Sequence, residues 1–251
     1  MTGVRAVSFD AGGTLIGIVE PVGVTYGRCA RAAGFDADAD ALDEGFRRAF
    51  AAAPPLAPPA GHVGALLEFE LGWWRAVVAA SLAHALGAPV PPAHESAFER
   101  FFRATFAHYA TPAAWRLLPD AAAAVHELRA RGLALAVLSN FDARLHALLA
   151  TLGLEGAFAV VVPSSEAGAA KPSRGAFEHV RRRLAAQPPL APAECLHVGD
   201  SLREDVEGAL AAGWQAVWLD RDGAGERTVL PAGAARVASL AELPALLEGA
   251  R

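Results

Sequence analysis

From Leu118 to Leu219 the chain repeats one pattern: a short continuous apolar run, a polar tip, then a segment with apolar residues three and four apart. The apolar runs are Leu133–Leu138, Phe158–Val162, Cys195–Val198 and Trp214–Leu219. The helix-period segments are Pro119–Arg131, Asp142–Leu152, Ser173–Ala186 and Leu202–Ala212. Strands apolar along their whole length are buried on both faces, and strand–helix alternation with short links joins parallel neighbours by crossovers. Val4–Phe9, ending at Asp10 and followed by Gly12-Gly13, is another such strand and a tight loop. Between them, Val22–Ala33, Ala39–Ala53, Val63–Leu86 and Ala93–Tyr109 carry only the helical period. Pro54, Pro55, Pro58 and Pro59 divide these helices into two pairs. The expected fold is α/β, a doubly wound parallel, Rossmann-like core from residues 1–16 and 112–251, interrupted by an inserted helical bundle over 17–111.

Composition narrows the function classes. A hydrophobic share of 53% excludes intrinsic disorder, and 251 residues suffice for a sizeable core. The net charge of −5 gives no general attraction for nucleic acid or an anionic membrane, so neither is an expected partner, and any phosphate must bind at a local site. Cys29 and Cys195 form no disulfide framework and no zinc spacing, and read as small buried hydrophobes. The start, MTGVRAVSFD, does not read as a signal peptide, and Ala76–Leu86 is too short to span a bilayer. A soluble, cytoplasmic protein is expected, a monomer or a homodimer.

Four segments fall where an open α/β sheet places its ligands, at the carboxyl ends of strands. They are Phe9-Asp10-Ala11-Gly12-Gly13-Thr14, Leu138-Ser139-Asn140, Lys171-Pro172, and Gly199-Asp200-Ser201 with Asp205. A carboxylate before Gly-Gly lets a ligand approach backbone N–H groups. Asp10 and Asp200 on neighbouring tips suit a hard divalent cation such as Mg²⁺, with Asp205 a further ligand or its neighbour. A lysine and a serine at the same point suit a tetrahedral anion. Together these groups suit phosphoryl transfer to a carboxylate.

In motif, order and spacing the four segments resemble the haloacid dehalogenase (HAD) superfamily of hydrolases, over essentially the whole chain. FDAGGTL resembles its first motif, LSN the second, KP the third and GDSLREDVEGA the fourth. The helical insertion is similar to the cap of subfamily I. RGLALAVLSNFDARL and HVGD resemble the subgroup named haloacid dehalogenase-like hydrolase domain-containing protein 3. The resemblance implies a HAD core with a helical cap, and a Mg²⁺-dependent phosphatase acting on a small phosphorylated compound. It implies Asp10 as the nucleophile that becomes an aspartyl-phosphate, and Thr14 as a residue fixing the first loop. Ser139 and the Asn140 backbone would bind phosphoryl oxygens beside Gly12 and Gly13, and Lys171 would bridge phosphate and Asp10. Asp10, the Gly12 carbonyl, Asp200 and Asp205 would form the metal site.

One position departs from that pattern. Most phosphatases of the superfamily carry a second Asp two residues after the nucleophile to protonate the leaving group, and here that residue is Gly12. General acid help is worth about 10²- to 10⁴-fold, so esters with poor leaving groups should suffer more than aryl or acyl phosphates. Glu20, His62 and Glu68 are cap candidates for a replacement proton donor, although each also reads as a surface residue. The departure keeps two alternatives open. One is a metal-independent 2-haloacid dehalogenase, with Arg47 or Arg48 binding the substrate carboxylate. The other is a weakly active or non-catalytic protein that binds a phosphorylated ligand. Elsewhere, Leu66, Phe69, Trp73, Trp74 and Val77, like Phe98, Phe101, Phe102 and Phe106, read as packed helix faces. Arg181–Arg183 reads as a solvated run, and His197 as a packed histidine.

Overall fold

A computed structural model describes residues 1–184, 189–223, 225 and 228–248. In chain order its strands are β1 (Ala6–Phe9), β2 (Ile16–Ile18), β3 (Trp115–Leu117), β4 (Ala134–Ser139), β5 (Val160–Pro163), β6 (Cys195–Gly199), β7 (Gln215–Leu219) and β8 (Ala234–Val237). Its helices are α1 (Val22–Ala33), α2 (Ala39–Ala52), α3 (Leu66–Leu86), α4 (Glu95–His108), α5 (Ala121–Ala130), α6 (Arg144–Leu149), α7 (Ser164–Ala167), α8 (Arg174–Arg183), α9 (Gly208–Ala211) and α10 (Leu243–Glu248). The last two residues of the expected helix Ser173–Ala186 lie outside the described residues. The chain divides into two compact units. One comprises Met1–Gly17, Ala57–Ala60 and Leu117–Arg251, and the other Ile18–Leu56 and Gly61–Arg116.

In the first unit, among the described residues, six strands form one sheet in the order β5-β4-β1-β6-β7-β8. Every pairing in it is parallel. The chain moves outward from β1 through β4 to β5, then returns to the other side of β1 with β6. The strand order therefore reverses at β1, and the carboxyl ends of β1, β4 and β6 meet at the switch point, where such sheets bind ligands. One face of the sheet buries Ala136, Leu138, Val160, Val162 and Trp218 against Phe177 and Val180 of α8. Full burial of each large apolar side chain stabilises by about 1.5–3 kcal/mol. Three strands escape the periodic reading: β2 and β3, which pair with each other, and β8. Each is only three or four residues long, too short for periodicity to register.

The second unit is helical. Tyr26 of α1 makes edge-on contacts with Phe101 of α4 and Phe46 of α2, at centroid distances of 5.6 and 5.8 Å. Phe98, Phe101 and Phe102 are buried as expected, and Phe106 packs at the margin of the cluster. The expected packed face of α3 is corrected. Its buried residues are Glu70, Val77, Val78, Ser81 and Leu82, whereas Leu66, Phe69, Trp73 and Trp74 are half-buried. Apolar residues surround α3 on nearly every side, so its sequence does not single out one face. No helix among the described residues is long and apolar enough to cross a membrane.

A polar strut ties the first loop to distant chain. Asp120, before α5, accepts two hydrogen bonds from Arg221 at 2.8 and 3.0 Å. It also accepts from the Ser239 hydroxyl and the Leu240 N–H, both at 2.7 Å. Arg221 in turn donates to the Thr14 carbonyl at 3.1 Å. Burial opposes the Asp120 charge, but these donors outweigh it and bring the carboxyl down to about 2. A depressed carboxyl stabilises the fold above its unfolded value near 4, and that contribution fades as pH falls through its folded value. Asp120→Asn should therefore cost roughly 2 kcal/mol at pH 7 by denaturant unfolding, with the gap closing between pH 4 and pH 2. Equal stability of the two proteins at pH 7 would contradict the strut.

Candidate active site

Asp10 is the first residue beyond β1, and its N–H donates to the Val198 carbonyl of β6 at 2.9 Å. Ser139 ends β4 and is buried. Lys171 reaches the same point from the loop between α7 and α8. Its ammonium donates to Asp10 Oδ1 at 2.6 Å and to Asp205 Oδ1 at 2.5 Å. The Lys171 side chain is only 1% exposed, so these two carboxylates are its substitute for water. Burial alone would lower the amine's pKa, but Asp10 and Asp205 outweigh it and hold Lys171 above the ordinary lysine value.

The fourth segment is arranged by its own turn. The Ser201 hydroxyl accepts from the Glu204 N–H at 3.1 Å, and the Ser201 N–H donates to Asp205 Oδ2 at 2.8 Å. This turn opens a widened helical stretch, Leu202–Glu207, that leads into α9. Gly199 and Gly13 are required by close approach: a Cβ on Gly199 would overlap the Asp205 carboxylate, and one on Gly13 the Asp200 carboxylate. Gly13 also has φ +77°, which side chains other than glycine's rarely adopt. Gly12 differs from both: a Cβ there meets nothing within 4 Å. Close packing among the described residues therefore does not require glycine at position 12.

One oxygen each from Asp10, Asp200 and Asp205 lies within 4.8 Å of the others. Among the described residues Asp200 has no ion-pair partner. Burial of its surroundings, then the charges of Asp10 and Asp205, push its carboxyl up to about 7, although the residue keeps a solvent-open side. Asp10 is raised, chiefly by burial, against the pull of Lys171. Asp205 is lowered, because Lys171 and His197 overcome the effect of burial. Crowded, underneutralised oxygen donors are the chemistry that suits a hard divalent cation. Mg²⁺ therefore fits this donor set.

Several placements differ from a plain reading of the motifs. The Asn140 side chain clamps the Lys171 backbone, donating to its carbonyl at 3.0 Å and accepting from its N–H at 2.8 Å. Its amide also donates to Glu204 at 3.1 Å. Thr14 is held by its backbone, and its buried hydroxyl has no partner among the described residues. Arg47 and Arg48 both pair with Glu44 of their own helix, with side chains 65% and 68% exposed. Glu20 accepts from Arg28 and Thr25, which hold it below the ordinary carboxylate range and leave it no proton to donate near neutrality. His62 stacks edge-on against Phe69, and Glu68 is exposed in the first turn of α3.

A family model for haloacid dehalogenase-like hydrolases matches residues 4–213, a span containing all four segments. The chain belongs to this family. Haloacid dehalogenase-like hydrolase domain-containing protein 3 of Homo sapiens is 35% identical over 210 residues, covering 84% of this chain and 79% of that protein. A phosphoserine phosphatase of Thermus thermophilus is 43% identical over 106 residues, 42% of this chain and 41% of its own. Among solved structures, L-2-haloacid dehalogenase from Xanthobacter autotrophicus aligns over 99% of this chain and 100% of its own, with TM-score 0.68 and 25% identity.

In this HAD-like hydrolase, three site neighbours escaped motif reading. Glu204 is half-buried beside Asn140, and burial raises its carboxyl. The Trp218 indole donates to the Asp200 carbonyl at 2.9 Å. His197 Nε2 lies 3.0 Å from Asp205 Oδ1, reaching it from within β6. Glu204 carried a faint signal, a carboxylate next to Asp205; the other two sit on strands among apolar residues and carried none.

The raised Asp200 generates a pH prediction. A carboxyl lifted from about 4 to about 7 by folding weakens the fold as pH rises through that interval, and a cation binding the ionised form removes the penalty. Added Mg²⁺ should raise Tm more at pH 8 than at pH 5.5, and Asp200→Asn should lose that increment. The same increment at both pH values, or its persistence in Asp200→Asn, would contradict the assignment.

Proposed function

We propose that this HAD-like hydrolase is a Mg²⁺-dependent phosphatase of a small phosphorylated compound, with Asp10 as nucleophile. The observation carrying the reading is the Asp200 carboxylate lying against Gly13 beside Asp10, with its charge uncompensated by the protein. A metal-independent dehalogenase has no use for that carboxylate, and an unpaired acid in such a place is costly. Arg47 and Arg48, the arginines a dehalogenase reading would employ, are exposed and engaged by Glu44. The phosphoserine phosphatase named above supports phosphate chemistry in this family.

Lys171 holds Asp10 Oδ1, and Oδ2 would be the attacking oxygen. Asp10, the Gly12 carbonyl and Asp200 would hold Mg²⁺, with Asp205 at the border of the set. The ion supplies charge neutralisation of the phosphoryl group. Attack by Oδ2 forms the O–P bond of an aspartyl-phosphate, and the ester P–O bond breaks with its electron pair leaving on the alcohol oxygen. Ser139 and the Asn140 N–H, at the end of β4, would hydrogen-bond the phosphoryl oxygens, while Lys171 would share its ammonium between them and Asp10. Water then attacks phosphorus, releasing phosphate and restoring the Asp10 carboxylate. With glycine at position 12, the departing alkoxide receives no proton from that position, which favours aryl and acyl phosphates.

The purified protein should hydrolyse an aryl phosphate with Mg²⁺, lose activity to chelator, and lose it by about 10³-fold or more in Asp10→Asn. Halide release from a 2-haloacid in chelator would instead establish the dehalogenase. Stability shifts with Mg²⁺ and phosphate but no turnover would establish a binding protein.

Gly12→Asp is sterically open. It should raise turnover of alkyl phosphates by at least about tenfold more than of aryl phosphates. Equal gains on both would contradict the leaving-group account.

A further inference from the structure

His197 lies on β6 directly across from Ser8 of β1, and both are fully buried. Its Nδ1 meets the Ser8 hydroxyl at 3.1 Å, and its Nε2 meets Asp205 Oδ1 at 3.0 Å. That same oxygen receives the Lys171 ammonium, which also binds Asp10. The ring is wedged edge-on against Phe177, with centroids 5.3 Å apart, so it has little freedom to turn. A continuous buried line therefore runs Ser8–His197–Asp205–Lys171–Asp10, starting inside the sheet and ending at the nucleophile.

We infer that His197, oriented by Ser8, is a positioning residue for catalysis: its Nε2–H fixes the Asp205 carboxylate so that Lys171 is delivered to Asp10 in the attacking geometry. The inference rests on the phosphatase reading for its kinetic arm only. The hydrogen-bond logic stands without it. An ionised carboxylate can only accept, so Nε2 must carry a proton, and a Ser8 hydroxyl can satisfy Nδ1 in either role. Without His197, Asp205 keeps its bonds to Lys171 and the Ser201 N–H but can swing about them. Lys171, unable to satisfy two drifting carboxylates at once, then loses its hold on Asp10 Oδ1. Side chains that orient reactive groups in this way typically cost 10- to 100-fold when removed.

The test combines spectroscopy and kinetics. In protein labelled with ¹⁵N-histidine, with the His197 signals identified by their loss in His197→Gln, Nε2 should be protonated and hydrogen-bonded. A bare Nε2 overturns the inference. With an aryl phosphate and Mg²⁺, His197→Leu should lower kcat about 10- to 100-fold with KM within about twofold. His197→Gln, which retains an N–H, should recover at least part of that loss at a similar Tm. A folded His197→Leu protein with wild-type kcat overturns the inference, as does a loss confined to KM. If His197→Leu does not fold, the nitrogen spectra and the comparison of Ser8→Ala with wild type decide, Ser8→Ala being expected to lose about twofold to tenfold in kcat. Unchanged kcat in Ser8→Ala removes the Ser8 part of the claim. A wild-type protein that turns over no phosphate ester defeats the phosphatase reading, and the spectra alone then judge His197.

Discussion

A buried ammonium determines how this site is built. Lys171 is nearly sealed from water, and taking a charge out of water costs several kcal/mol unless opposite charges and hydrogen bonds replace the lost hydration. Asp10 supplies that replacement from the tip of β1, and Asp205 from the helical stretch Leu202–Glu207 that follows β6. Neither carboxylate can move away without leaving the other charges exposed to an apolar interior. The parallel order β4-β1-β6 is what allows three strand tips to converge, because the reversal at β1 opens a crevice at their carboxyl ends. The geometry of the candidate site and the stability of the fold are thus held by the same interactions.

Much of this was legible in the residues themselves. Continuous apolar runs such as Leu133–Leu138 and Cys195–Val198 marked central parallel strands, and the helices Val22–Ala33 and Ala39–Ala52 fell where their apolar spacing placed them. The convergence of Asp10, Lys171, Asp200 and Asp205 followed from their places at strand ends. What escaped were interactions with no local signature. Motif reading assigned Asn140 through its backbone, but its side chain is committed to the Lys171 loop, 31 positions away in sequence. His197 stood in an apolar strand and read as packing; only the pairing of β6 with β1 brings Ser8 to its other nitrogen. The direction in which α3 packs was likewise hidden, because apolarity on all sides removes the signal that periodicity needs.

Gly13 and Gly12 separate two meanings of glycine in one loop. At Gly13 the left-handed backbone and the adjacent Asp200 carboxylate exclude any side chain. At Gly12 there is no such pressure, and room for a side chain remains. The first glycine is a condition of the close approach between the loop and Asp200; under the proposed phosphatase reading, the second would withhold a proton donor. Glu20, bound by Arg28 and Thr25, does not supply a substitute.

The proposed chemistry turns on a covalent bond between an Asp10 carboxylate oxygen and phosphorus. Rapid acid quench of the protein during turnover of an aryl phosphate, followed by mass analysis of the peptide bearing residue 10, tests it most directly. One phosphoryl group on Asp10 is expected. Phosphate release with that peptide unmodified at every quench time, even when product formation is fast and substrate saturating, would contradict it.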